Sequence, residues 1–403
     1  MNLKQAKVLL IENINKSAIN YFQEKGFENI KVIPQVLKPQ ELEKEIADVD
    51  ILGIRSATWI KEELLEKAKK LLAIGCFIVE VNKVDLISTE KRGIPVFHGP
   101  FSSTRSVAEL TIGLIFSLFR KIGEKNLAAH QGKWLKKTDG LELRSKTLGI
   151  IGFSNIGSQV GQMAESLGMK VIFYDVANVL SFGNCERKNH LDEVLRESDV
   201  ITVHVPSLPA TKGMINAKAI AKMKKGSFII NTSRGDITDE QAICDALKSG
   251  HLSGVALDVF AKEPKSLNEE LESPLKNFPG AILTPHIGGS TKEAQRNIGE
   301  EVAKKLIDFL QIGKTADAIN FPRVYTSSPQ KNIKRIIHIH KNIPGMLTGI
   351  NDIFSSKNIN ISSQNLKTSQ HIGYAVLDIE GQCDQSIQEK LKNLPGTIRC
   401  NIL

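Results

Sequence analysis

The sequence predicts an α/β protein, with doubly wound parallel sheets followed by a small antiparallel βαββαβ module. Three observations carry that prediction. Short β-branched runs alternate with helical periodicity from residue 7 to about 285. One of those runs enters a glycine turn, Gly152 to Gly157, and leaves it as an amphipathic helix. After an aperiodic stretch at 321–332 that carries Pro322 and Pro329, the tail changes rhythm.

In chain order, strands are expected at 8–11, 51–54, 147–152, 171–174, 200–205, 228–231, 255–258 and 282–284. Ile156, Val160, Met163, Ala164 and Leu167 put one apolar stripe on the helix after Gly152, and Gly168 can take the positive φ that ends it. Ser290 followed by Glu293 has the form of a capping box, opening a helix through Ile298, Val302 and Leu306. Residues 321–332 read as a linker. Beyond them come a strand at 336–340, a helix opened by Pro344, strands at 359–364 and 373–379, a helix at 386–394 and a strand at 397–402.

At 403 residues the chain has room for two or three domains. It is 41% hydrophobic and 24% charged, with a mean hydropathy of −0.13, values typical of a folded globular protein. The apolar run 110–116 meets Arg120 and Lys121 before it reaches membrane-spanning length. Only Val8 to Ile11 are continuously apolar near the N-terminus, so no secretory signal is read and a cytoplasmic location is expected. Five scattered cysteines with no CxxC pair exclude a disulfide framework and a Cys-rich zinc site; no metal is expected. The net charge of +9 comes with 5% aromatics and no Lys/Arg block, which favours small anions over nucleic acid.

The chemistry is read first from the glycine turn. The amides and positive end of a helix opening near Ser154, Asn155 and Ile156 can hold a pyrophosphate. Asp175, eighteen residues after Gly157, can bond both ribose hydroxyls and repel a 2′-phosphate. Val176, Ala177 and Asn178 supply no adjacent cation, so NAD is expected over NADP. Ser154 stands where a second glycine is usual, and weaker cofactor binding is expected from it. Three strand ends then bear polar groups: Asn231 to Gly235, Asp258 to Pro264 and Thr284 to Gly289. Arg234 offers a fork for a carboxylate, and His286 can take a proton near neutrality. Glu263 would stabilise the imidazolium. These groups suit oxidation of a 2-hydroxy acid by hydride transfer.

The stretches SSTRSVAEL (102–110), Gly149 to Gly157, Asn231 to Gly235, Asp258 to Pro264, LTPHIGGST (283–291) and IHKNIPGML (339–347) resemble the D-2-hydroxyacid dehydrogenase family. Within it they are similar to the phosphoglycerate-oxidising branch with a C-terminal ACT domain. The resemblance covers essentially the whole chain. It implies two Rossmann-like domains: a substrate lobe from 1–101 and 291–320, and a nucleotide-binding domain over 102–290. A linker at 321–332 and an ACT domain over 333–403 would follow. It implies catalytic roles for Arg234, Glu263 and His286, with Asp258 on the nicotinamide side, and substrate contacts from Arg55, Ser56 and Lys136. It further implies L-serine as a feedback effector bound by His340, Asn342 and Asn360 between two ACT domains, and a homotetramer.

Three residues depart from the family pattern. Glu80 puts a carboxylate into a loop that normally presents amides to the substrate carboxylate, Asp236 adds another beside Arg234, and Ser103 replaces asparagine. Alternative readings are a dehydrogenase for glycerate or 2-hydroxyglutarate, and a non-catalytic NAD(H)-sensing scaffold.

Overall fold

The structure is a computed structural model and describes residues 3–79, 81–264, 268–381 and 385–403. The chain divides into two compact units, residues 1–102 with 295–403, and residues 103–294.

The first unit begins with a five-stranded parallel sheet whose spatial order is Asn29–Ile33, Lys7–Ile11, Ile51–Ile54, Ala73–Cys76 and Val96–His98. Val8, Leu10 and Ile51 face Val302 and Leu306 of the helix Lys292–Ile312, while Leu9, Leu52 and Ile54 pack on Leu42, Ile46 and Leu65. Coverage of both faces makes the inner strands apolar without alternation, which is why they stand out in the sequence. The strand Asn29–Ile33 lies at the sheet edge with no fully buried residue, and no apolar run announces it. Gly75 lets the long helix lie close: a Cβ there would stand 2.7 Å from Leu306 Cδ1.

The Ser290–Glu293 box does not form. The Ala294 amide donates to Thr291 Oγ1 at 3.1 Å, and the helix opens one residue later than expected. Thr291 takes the capping role because the Ser290 amide closes a turn onto the Ile287 carbonyl.

The tail forms an antiparallel four-stranded sheet in the spatial order Ile361–Thr368, Ile372–Glu380, Ile333–Lys341 and Thr397–Ile402, with helices Met346–Ser355 and Gln385–Asn393. This is the ferredoxin-like order. Its first helix opens at Met346 rather than Pro344, because Gly345 takes φ 85 and makes the turn. The expected linker is anchored at its start: Phe321 and Val324 are buried, and Thr315 Oγ1 both donates to the Pro322 carbonyl and accepts from the Val324 amide. Tyr374 donates to the Gly313 carbonyl at 2.8 Å, and Arg335 grips Asp378 through Nε and Nη2 at 2.7 and 2.6 Å.

The second unit is a seven-stranded parallel sheet ordered Ala281–Leu283, Leu252–Leu257, Ser227–Asn231, Val200–Val203, Thr147–Ile151, Lys170–Tyr174 and Glu186–Arg187. Strand order reverses between Thr147–Ile151 and Val200–Val203, so a crevice opens beyond their carboxyl ends. The apolar run 110–116 lies in the helix Thr104–Phe119, which buries Leu114, Ile115, Leu118 and Phe119 against that sheet. Among the described residues no helix is long and apolar enough to cross a membrane.

Candidate active site

At the switch point, Gly152 takes φ 92 and its amide closes onto the Tyr174 carbonyl at 2.9 Å. A side chain there would press on the His204 backbone at 2.9 Å. The helix Asn155–Ser166 follows, with Ser154 as an N-cap whose side chain makes no capping bond. Ser154 and Asn155 are exposed, so the first helical turn faces outward. Gly157 is required by packing: a Cβ would lie 2.1 Å from the Gly152 carbonyl oxygen. Asp175 stands beside the turn, its two oxygens accepting from the Phe153 amide at 2.7 Å and the Ala177 amide at 2.8 Å. An open helix end, a glycine turn and an oriented carboxylate fit a dinucleotide, which the amides near Ser154 to Gly157 and Asp175 would hold.

A cation does stand near that turn, supplied by the fold. Arg187 reaches back to the carbonyls of Asp175 and Ala177 at 3.4 and 3.1 Å and to Asn178 Oδ1 at 2.5 Å. Its guanidinium braces the loop through these acceptors. His204, at the end of the neighbouring strand, is buried, and desolvation pushes it down to about 3, so it is neutral.

The three polar strand ends converge within the same unit. Asn231 organises the first: its Oδ1 accepts from the Ser233 amide and hydroxyl, and its Nδ2 donates to the Arg234 carbonyl at 2.8 Å. Arg234 follows in extended conformation, half-buried, with Nη1 on the Ser233 carbonyl. Gly235 must be glycine, since a Cβ would stand 1.9 Å from the Phe260 backbone.

His286 and Glu263 form a two-point contact, with Nδ1 at 3.0 and 2.9 Å from the two carboxylate oxygens. Nε2 is thereby left for a substrate. The Glu263 hydrogen bond raises the imidazole above its ordinary value; desolvation and the Arg234 charge oppose it, and the charges of Glu263 and Asp258 add to it. For Glu263, partial burial pushes upward. The His286 bond and charge, the Phe260 amide and Arg234 outweigh it, so the carboxyl lies below its ordinary value.

Asp258, expected on the nicotinamide side, is bonded to the loop that carries His286. Buried to 1% exposure, it accepts from Thr284 Oγ1 at 2.6 Å, the Ile287 amide at 2.9 Å and the Gly288 amide at 2.8 Å. Its own carbonyl accepts from the His286 amide. Together these bonds hold His286 at φ 53, a left-handed conformation unusual for a residue with a side chain. The helix Thr104–Phe119 adds Ser106 Oγ on the Gly288 carbonyl and Thr111 Oγ1 against Thr232 Oγ1.

The remaining expected residues are placed as follows. Lys136 is exposed, its amide on the Trp134 carbonyl. Asp236 accepts from Ser207 Oγ at 2.6 Å, and Ser103 is buried. Glu80 lies outside the described residues. Arg55, in the first unit, points Nη2 at Gln295 Oε1 at 3.1 Å, and the neighbouring Ser56 is exposed. The buried Glu12 carboxylate accepts from the Ala57 and Thr58 amides and shapes that turn.

In the tail, His340 is buried with Nδ1 on the Lys341 carbonyl, and Asn342 donates to the Ser369 carbonyl at 2.8 Å. Asn360 is not beside them. It bonds Glu380, which pairs with Ile333 at the far end of the strand, seven positions from His340. That is on the order of 23 Å.

Asp258 and Asn231 lie in polar stretches that the sequence marks, whereas Glu12 and Arg187 brace their turns with no local pattern that singles them out. Each acts across a turn or between strands.

The switch-point turn and the imidazole–carboxylate pair define a nicotinamide-dinucleotide oxidoreductase, the class to which comparison with known proteins also leads. Residues 112–288 match the model of the D-isomer specific 2-hydroxyacid dehydrogenase NAD-binding domain, and residues 336–399 match an ACT domain of the AHAS small-subunit type. D-3-phosphoglycerate dehydrogenase of Escherichia coli K12 is 48% identical over 402 residues, 98% of this chain and 97% of its own. The Haemophilus influenzae enzyme of that name is 46% identical over 405 residues, 100% of this chain and 98% of its own. Among solved structures, D-lactate dehydrogenase from Aquifex aeolicus with NAD and lactic acid matches at TM-score 0.65 and 30% identity, covering 78% of this chain and 100% of its own. The chain belongs to the D-isomer specific 2-hydroxyacid dehydrogenase family, and its cofactor is NAD.

Proposed function

We propose that this chain oxidises 3-phospho-D-glycerate to 3-phosphohydroxypyruvate with NAD, the entry step to L-serine, and that L-serine inhibits it through the ACT domain. The observation that carries the chemistry is the Glu263–His286 pair beside Arg234. Full-length similarity to enzymes named for this substrate, tail included, supports its identity. Arg234 binds the substrate carboxylate and polarises the C2 oxygen. His286 Nε2 takes the hydroxyl proton as the C2 hydride leaves for the nicotinamide, and Glu263 stabilises the resulting imidazolium. Bound NAD supplies the hydride acceptor. Arg55, Ser56 and Lys136 are assigned to the substrate.

Asn360 stands apart from His340 and Asn342 within one chain, so an effector held by all three would draw them from two ACT domains. Exposed Trp134, Leu127 and Ile122 offer further apolar contact area for the homotetramer. The test is NADH oxidation with phosphohydroxypyruvate, hydroxypyruvate, glyoxylate and 2-oxoglutarate, each with and without serine. A kcat/KM highest for phosphohydroxypyruvate and lowered by serine is expected. Preference for an unphosphorylated acid overturns the substrate, and no turnover with any of them overturns the enzyme.

A further inference from the structure

Between the last strand of the tail and the first sheet's lobe lies a cavity of about 620 Å³, large enough for a small ligand. One wall is Lys69, Lys70 and Arg92; the other is Lys392, Arg399 and Asn401. Five cationic side chains therefore meet there against two carboxylates, Asp50 and Glu66. The two carboxylates are fewer than the five cations. Asp50 Oδ2 accepts from the Lys7 amide at 2.8 Å, and Arg92 Nη2 lies 3.5 Å from Glu62 and 3.9 Å from Glu66. Lys70 pairs with Asp48. Among the described residues Lys69, Lys392 and Arg399 have no ion-pair partner. Arg399 is the most constrained of these cations. Its Nε donates to the Arg92 carbonyl at 2.9 Å, and desolvation pushes it down to about 10.

A half-buried guanidinium without a carboxylate, faced by two exposed ammonium groups, concentrates positive charge that a bound anion would offset. We propose that this cavity binds a multiply charged phosphate-type anion, held by Arg399 and Arg92 with Lys69 and Lys392 closing over it. Guanidinium forks suit the planar pairs of phosphate oxygens, and lysines add charge without fixed geometry. The site is separate from the nucleotide turn and the Arg234–Glu263–His286 trio, which belong to the other unit. Because its walls come from the ACT domain and the substrate lobe, bound anion ties the two together and stabilises their packing.

The experiment is equilibrium dialysis of the full-length protein with radiolabelled pyrophosphate and, separately, inorganic phosphate, at physiological salt. Wild type is compared with Lys69→Gln/Lys392→Gln and with Arg399→Gln. Active-site and nucleotide sites also take phosphate groups, so the difference between proteins is what decides. Loss of one site per chain, or weakening on the order of tenfold, in both variants with unchanged kcat and KM is expected. The exposed lysine pair tests the site without disturbing the core should Arg399→Gln fail to fold. Equal stoichiometry and affinity in wild type and the lysine variant would overturn the proposal, whatever the enzyme's substrate. Tighter pyrophosphate than phosphate binding indicates a diphosphate ligand, and the reverse a monophosphate.

Discussion

Replacing Asp258 by asparagine removes one charge and half of the acceptor capacity at a position 1% exposed to solvent. The carboxylate receives Thr284 Oγ1 and the Ile287 amide on Oδ1, and the Gly288 amide on Oδ2. An asparagine with its oxygen at the first position keeps two of these bonds and turns an NH2 group toward the Gly288 N–H. In the opposite orientation two donors are left facing the amide nitrogen. The smaller loss is one hydrogen bond to a charged acceptor plus a buried unpaired N–H, about 2 kcal/mol. In a unit of 192 residues, 103–294, that corresponds to a fall in Tm of about 4–8 °C. The kinetic effect follows from geometry, because the same bonds hold His286 at φ 53. A relaxed turn displaces the imidazole from the reacting hydroxyl, and kcat is expected to fall on the order of a hundredfold. Thermal unfolding followed by circular dichroism and steady-state kinetics read the two effects. A Tm within about 1 °C of wild type and a kcat within about twofold would show that Asp258 does not hold the histidine turn.

Other perturbations test separate parts of the site. Glu263→Gln removes the group that raises His286, so the pH profile should move toward acid. Oxidation needs neutral His286 and its acid limb should extend to lower pH, whereas reduction needs the imidazolium and its alkaline limb should retreat; unmoved limbs in both directions refute the pairing. Gly157→Ala forces a Cβ to within 2.1 Å of the Gly152 carbonyl, so the turn must open at a cost of about 1–3 kcal/mol. NADH titration by fluorescence should show roughly tenfold weaker binding; an unchanged Kd contradicts the packing role. Ser369 links the Asn342 side chain, through its carbonyl, to Glu90 of the substrate lobe, through its hydroxyl. Ser369→Ala is expected to leave kcat unchanged and raise the serine concentration for half-inhibition; identical inhibition curves count against that connection.

Much of this architecture is written locally. Runs such as 8–11 and 200–203 are apolar because both faces of their sheets are covered, and short-range sterics make a left-handed Gly152 before a helix readable from residue type alone. Arg234, Glu263 and His286 could be named from their surroundings in the chain, with Glu263 expected to support the imidazole, but not the two-point geometry of that contact. What the tertiary structure alone decided was which polar groups meet. Glu263 pairs with His286 across 23 positions, Asp258 clamps the turn 30 positions away, and Arg187 reaches the carbonyls of Asp175 and Ala177 from the edge strand. Asn360 and His340 are likewise set at opposite ends of one sheet by strand register, not by spacing. Periodicity and backbone freedom act over one or two turns of chain and leave a mark on neighbouring residues. Pairing between distant side chains depends on strand order and loop path, which are set by burial summed over the whole fold.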